Sequence, residues 1–132
     1  MEAVRQMKAV GILLVSVLAA GCSSFSSNMQ VGNEQSYLSL KDQREAVRAV
    51  RQYDVLPSGA EVLTEVSASR CHRSFVEDAP EEATLLNDLK IAAYAQGADG
   101  ITAVQVTKES ALSRNCWYVL NGTAKAFALP AK

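Results

Sequence analysis

A chain of 132 residues with 13 basic and 14 acidic side chains carries a net charge of −1. That length holds one modest domain, and that balance lacks the basic surface a nucleic-acid-binding protein needs. A single histidine, with no signature setting it beside a nucleophile and an orienting acid, argues against an enzyme.

The N-terminus reads as an export signal. Arg5 and Lys8 form a basic head, residues 10–18 an apolar stretch, and Ala19-Ala20-Gly21 a run small enough for a peptidase groove. The apolar run over 9–20 is about 12 residues, well short of the ~20 that a membrane-spanning helix needs. Cys22 follows at once, and then Ser23-Ser24-Phe25-Ser26-Ser27. Small residues also end ordinary secretory signals, but a cysteine in this place reads as a lipoprotein cleavage site. The lipoprotein pattern prefers Leu, Val or Ile three residues before the cysteine; here that residue is Ala19, with Leu18 one earlier. Cys22 is then the first mature residue and the bearer of covalent lipid, an N-acyl chain such as palmitate and a diglyceride. The sequence implies no other cofactor. Residues 1–21 leave with the signal and take no part in the fold. They carry Arg5 and Lys8 against Glu2, so the mature part has net charge −2.

Residues 23–38 are rich in Ser, Asn and Gln without an apolar period, as in a flexible tether. The segment 22–48 is assigned to the lipidated N-terminus and tether, and 49–130 to the folded domain. Residues 39–54 allow two readings. Ser39 caps a helix through Leu40, Val47 and Val50, or residues 49–55 form an edge strand; the strand near 49–55 is favoured, ended by Pro57-Ser58-Gly59. Residues 60–68 alternate, with Val62, Thr64 and Val66 on one side and Glu61, Leu63 and Glu65 on the other, which predicts a strand that runs out at Ser69-Arg70-Cys71.

The clearest helix spans 79–96. Asp78 stands at its cap, Pro80 in its first turn, and Glu81 and Glu82 suit the positive end of the dipole. Leu86, Leu89 and Ala93 make its narrowest apolar stripe, beside Leu85 and Ala92, and Gly97 stops it. Gly97-Ala98-Asp99-Gly100 turns the chain into a strand over 101–106. A polar loop over 108–115 then opens the longest strand, 116–128. Its even positions (Cys116, Tyr118, Leu120, Gly122, Ala124 and Ala126) are small or apolar and are assigned to the helix. Its odd positions include Trp117 and Phe127, and Asn121-Gly122 is read as a bulge. The order strand-strand-helix-strand-strand makes an α+β domain, one helix on a mainly antiparallel sheet of about four strands.

Three cysteines in an exported chain leave one to explain. Lipid on Cys22 leaves Cys71 and Cys116, for which one intramolecular pairing exists. Such a disulfide closes a loop of roughly 46 residues, worth about 4 kcal/mol in the chain-entropy model. The alternatives are two unpaired thiols, or a metal site from Cys71, His72 and Cys116, which lacks both a C-x-x-C spacing and a second histidine. In the disulfide reading His72 is a solvated turn residue.

Several of these stretches resemble the RcsF family of outer-membrane lipoproteins. They are Glu65-Val66-Ser67 followed by Cys71, the helix ending in Ala95-Gln96-Gly97-Ala98-Asp99-Gly100, and Cys116-Trp117-Tyr118 leading to Gly122-Thr123-Ala124. Val50-Arg51-Gln52-Tyr53 is similar to the family's first strand, and the likeness covers roughly residues 50–128. Cys71 and Cys116 match one of the family's two disulfides. The second falls near Val106 and Leu120, which form no bridge, so an apolar contact takes its place. The tether also lacks the family's proline-rich, basic composition. The resemblance implies an envelope-stress sensor anchored by lipid in the outer membrane, its domain in the periplasm. It implies as partners an outer-membrane β-barrel with a BamA-type assembly protein, and an IgaA-like inner-membrane regulator that governs an Rcs-type phosphorelay. Ser23 after the lipidated cysteine permits outer-membrane sorting. An accessory or structural lipoprotein of the same fold fits the residues equally well. In either case exposed side chains carry the contacts, and Trp117, Tyr53 and Phe127 are the candidates.

Overall fold

The computed structural model describes residues 29–31 and 38–131. The signal, Cys22, and residues 23–28 and 32–37 of the expected tether lie outside the described residues. The elements are β1 (Met29–Val31), α1 (Leu40–Ala49), β2 (Arg51–Tyr53), β3 (Glu61–His72), α2 (Glu82–Ala95), β4 (Gly100–Ala111), a 3-10 turn (Leu112–Arg114) and β5 (Cys116–Ala128). They form one five-stranded sheet in the order β1-β3-β5-β4-β2. Every pair is antiparallel except β2 with β4, which is parallel. The α+β class, the expected strand-strand-helix-strand-strand order and the disulfide all hold, with a second helix and the short strand β1 added to them.

The tether therefore does not extend to residue 48. Ser39 caps α1 by accepting the Asp42 N–H at 3.2 Å and donating its own hydroxyl to Asp42 Oδ2 at 2.7 Å. Ala46 is buried, and Val50 closes the helix with its N–H on the Ala46 carbonyl and its side chain in the core. Both readings of 39–54 are thus realised in succession, helix and then strand.

Helix α2 starts at Glu82 with Glu81 as its cap residue, later than the expected cap at Asp78. Pro80 keeps Ala79 out of the helical region, and Glu81 is itself extended, so the helix begins only at Glu82. The inner face of α2 runs through Leu85, Leu89 and Ala93, all fully buried, with Leu86 only partly covered. Gly97 ends the helix in the left-handed region at φ +77°, its N–H on the Tyr94 carbonyl. The core lies between α2 and the even row of β5, where Leu120, Ala124 and Ala126 meet Leu85, Leu89 and Ala93. Gly122 completes that row for a steric reason. A Cβ there would stand 2.9 Å from Leu85 Cδ2 and 3.2 Å from Leu89 Cδ1. It is not a bulge, since its pairing with Ala68 and Val106 is regular. The register shifts fall instead at Val62/Thr64 in β3 and at Thr102/Gln105 and Ser110/Ala111 in β4.

Strands β3 and β4 both outrun their expected ends. Polar residues at Ser69-Arg70 and Lys108-Glu109-Ser110 have weak strand preference of their own. They are held because both strands pair with β5 along nearly its whole length. Val106 and Leu120 share the core cluster, Leu120 lying diagonally across the ladder from the Val106–Gly122 pair.

Candidate functional site

The covalent feature of the fold is the Cys71–Cys116 disulfide, with Cα atoms 5.5 Å apart. It ties the end of β3 to the start of β5. Around it Ala111 and Val119 complete a small cluster separate from the main core. Cys116 thus leaves the even row of β5, because the register shifts between Ser110 and Ala111 just where the strand begins. Both sulfurs are used in the bond, which removes the thiol and metal alternatives for this pair. Among the described residues no group of three or more His, Cys, Asp or Glu side chains is placed to hold a metal ion.

His72 is not a solvated turn residue. It is the last residue of β3, half-buried, edge-on to Tyr118 at 4.8 Å, with Nε2 3.3 Å from the Glu77 carbonyl oxygen. Lys108 Nζ lies 3.8 Å over the other partner in this stack, the Tyr118 ring. These contacts seat the loop over 73–80 against the disulfide end of the sheet.

The three aromatic contact candidates separate. Trp117 is exposed, and Phe75 from the 73–80 loop meets it edge to face at 5.9 Å. Phe127 is fully buried and leaves the contact set. Its position opposite the helix-facing row suggested exposure, but Tyr53 covers it edge-on at 5.4 Å and Gly100 lies against its ring. Tyr53 is half-buried by the same packing. The Gly97-Ala98-Asp99-Gly100 turn is the device that closes over Phe127. Asp99 donates its N–H to the Phe127 carbonyl at 2.9 Å, and its Oδ2 accepts the Leu129 N–H at 2.8 Å.

Apart from Leu40 on α1, the large exposed apolar side chains of the described residues gather at the two ends of the sheet. At the disulfide end are Phe75, Val76, Leu112 and Trp117. At the other end are Val62, Leu63 and Leu129, brought together where Glu61 pairs with Ala128, with Val55 and Leu56 on the β2–β3 loop. Between the ends, a groove of about 430 Å3 separates α1 from α2, with Arg44, Arg48 and Ile91 in its lining. At its base Asp88 is buried against Arg70. The sequence holds a signal for this pair. Asp88 falls three residues after Leu85 on the inner face of α2, and Arg70 continues the inward row of Val66 and Ala68 on β3.

No model of a known protein family matches the chain, and no curated protein matches it. Among the described residues no helix is long and apolar enough to cross a membrane.

Proposed function

We propose that the protein is an RcsF-type sensor lipoprotein, anchored in the outer membrane through Cys22, that passes an envelope-stress signal to an inner-membrane phosphorelay by protein–protein contact. The observation that supports this most is the two-ended surface. Strand β1 brings the N-terminal chain in beside Cys71, at the disulfide end. The far end presents Val62, Leu63 and Leu129 to solvent, away from the anchor. A domain held at one end and apolar at the other suits contact with a protein across the periplasm. The act is controlled access to a partner, with no bond made or broken.

The reading does not require the N-terminal chain to pass through a barrel. Seven residue steps separate Cys22 from Met29, a reach of about 25 Å when fully extended. That falls short of the ~30 Å hydrocarbon core. The same short reach favours the second reading, an accessory envelope lipoprotein of this fold without a signalling role. In-cell photocrosslinking from Leu63, with mass spectrometry of the products, separates the two. Capture of an IgaA-like inner-membrane regulator under envelope stress supports the sensor. Peptidoglycan or self-contacts alone, at rest and under stress, select the accessory lipoprotein.

A further inference from the structure

Four apolar side chains at the disulfide end stand in solvent with no part in the core. Phe75 is 76% exposed, Val76 75%, Leu112 70% and Trp117 54%. Phe75 and Val76 come from the 73–80 loop, Leu112 from the 3-10 turn and Trp117 from the start of β5, all at the same end of the sheet. His72, before the loop, pairs with Tyr118, and Ala111, before the 3-10 turn, pairs with Cys116. The Phe75–Trp117 edge contact joins the aromatic part into one patch.

The chain that would hold this domain to a membrane enters at the same end. Met29 lies opposite Cys71 and Val31 opposite Ser69, antiparallel, so the N-terminal end of β1 lies at the disulfide end of β3, the end that carries the patch. A lipid on Cys22 is then at most about 25 Å from Met29 along the chain. From the level of Cys71 to Glu61, at the far end of the same strand, is ten residue steps, about 33 Å. The leash is shorter than the domain is long. The far end therefore cannot point straight down at the membrane that carries the anchor, whereas the disulfide end can.

We infer that Phe75, Val76, Leu112 and Trp117 dock into the headgroup region of the bilayer that holds the lipid anchor. The inference rests on the lipoprotein reading of Cys22. Aromatic rings with neighbouring aliphatic side chains suit that layer, where an apolar body and a polar indole N–H are both accommodated. The flanking charges balance. Arg73, Lys108 and Arg114 stand against Glu77, Asp78 and Glu109, so docking follows apolar insertion and needs no anionic lipid. Docking fixes the orientation of the domain and points the Val62–Leu63 end away from the membrane.

Trp117 is the single tryptophan of the chain and reports the docking directly. The mature, acylated protein is reconstituted into phosphatidylcholine vesicles brominated near the headgroup end of the acyl chains. Mass spectrometry follows acylation of Cys22, and flotation follows anchoring. The expected result is a blue shift of Trp117 emission and loss of about half its intensity to the bromines, unchanged in high salt, as for a side chain buried in the interfacial layer. In a Phe75→Ser/Val76→Ser/Leu112→Ser variant the protein still floats, but the shift and the quenching are lost. Acylated wild-type protein that floats with unshifted, unquenched Trp117 overturns the docking and leaves the anchor standing. Undiminished quenching in a folded triple variant overturns the patch as the docking surface. A Cys22 without acyl mass overturns the lipoprotein reading and the docking with it.

Discussion

Arg70 on β3 and Asp88 on α2 form a two-pronged ion pair, Nε to Oδ2 at 2.6 Å and Nη2 to Oδ1 at 2.8 Å, with the carboxylate 7% exposed. It fastens the first half of α2 to the sheet beyond Ala68, where the apolar row of β3 stops. Removing one partner of such a buried pair leaves the other charge largely out of water without its counter-ion, which costs about 3–5 kcal/mol. Asp88→Ala should therefore lower the melting temperature by more than 10 °C, at roughly 4–8 °C per kcal/mol for a domain of this size. An Arg70→Met/Asp88→Leu double variant should regain most of the loss, since apolar side chains of similar volume are often as stable there. Thermal melts followed by circular dichroism decide it. A double variant as unstable as the single one would mean that the pair contributes through specific geometry and not through avoided desolvation.

The Cys71–Cys116 bond spans 45 residues, for which the loop-closure model gives about 4 kcal/mol. Typical domains have about 5–15 kcal/mol in total. Cys71→Ser should lower the melting temperature by roughly 15 °C or more, on the same per-kcal scale. Reductant should bring wild-type protein to the same lowered curve and leave the variant unmoved. Coincident melts of oxidised wild type and variant would show that the bond adds nothing. Because β1 pairs beside Cys71, protection of the Met29–Val31 amides from hydrogen exchange should fall along with stability.

Two glycines have steric roles that differ in severity. A Cβ on Gly100 would lie 2.5 Å from Phe127 Cζ and 3.1 Å from the Arg51 carbonyl oxygen, caught between a buried ring and backbone. On Gly122 it would meet the ends of Leu85 and Leu89, which have rotamer freedom to give way. Overpacking costs about 1–3 kcal/mol, and Gly100→Ala should lie at the upper end of that range with Gly122→Ala below it. Phe127→Leu should couple to Gly100→Ala and make the double variant more stable than the sum of the single effects. Urea denaturation of the wild type and these four variants tests this, and the reverse order of the two alanines would contradict the packing argument.

What the sequence disclosed follows from which interactions are local. Helix α2 and strand β5 were legible because each carries its own period, the i, i+4 spacing of Leu85, Leu89 and Ala93 and the alternation of Leu120, Gly122, Ala124 and Ala126. The outer halves of β3 and β4 were not, because their polar residues are strand only through pairing with β5. Phe127 was misplaced for a similar reason. Its face is covered by Tyr53 and the Asp99–Gly100 turn, both distant in the chain. Of the exposed apolar side chains at the disulfide end, the sequence singles out only Trp117. Phe75 joins it because His72 and Tyr118 hold the 73–80 loop in place, a closure that no periodicity encodes.

In the lipoprotein reading, retention on the membrane should depend on Cys22 even with the proposed docking of the disulfide-end patch. A single acyl chain gives only marginal, reversible binding, and stable anchoring needs more than one. Four side chains dipping into the headgroup layer bury less apolar surface than the several acyl chains of a lipidated cysteine. In that reading Cys22→Ala also removes the expected cleavage site, so the uncleaved 9–20 segment must be checked by mass to keep its own membrane affinity out of the result. With that segment replaced by an ordinary secretory signal, mature Cys22→Ala protein should fractionate with the soluble periplasmic contents. Trp117→Ser with Cys22 intact should leave fractionation unchanged and loosen only the orientation. A Cys22→Ala protein that still sediments with the outer membrane would mean that retention comes from the folded domain, and the lipid would no longer be needed to explain it.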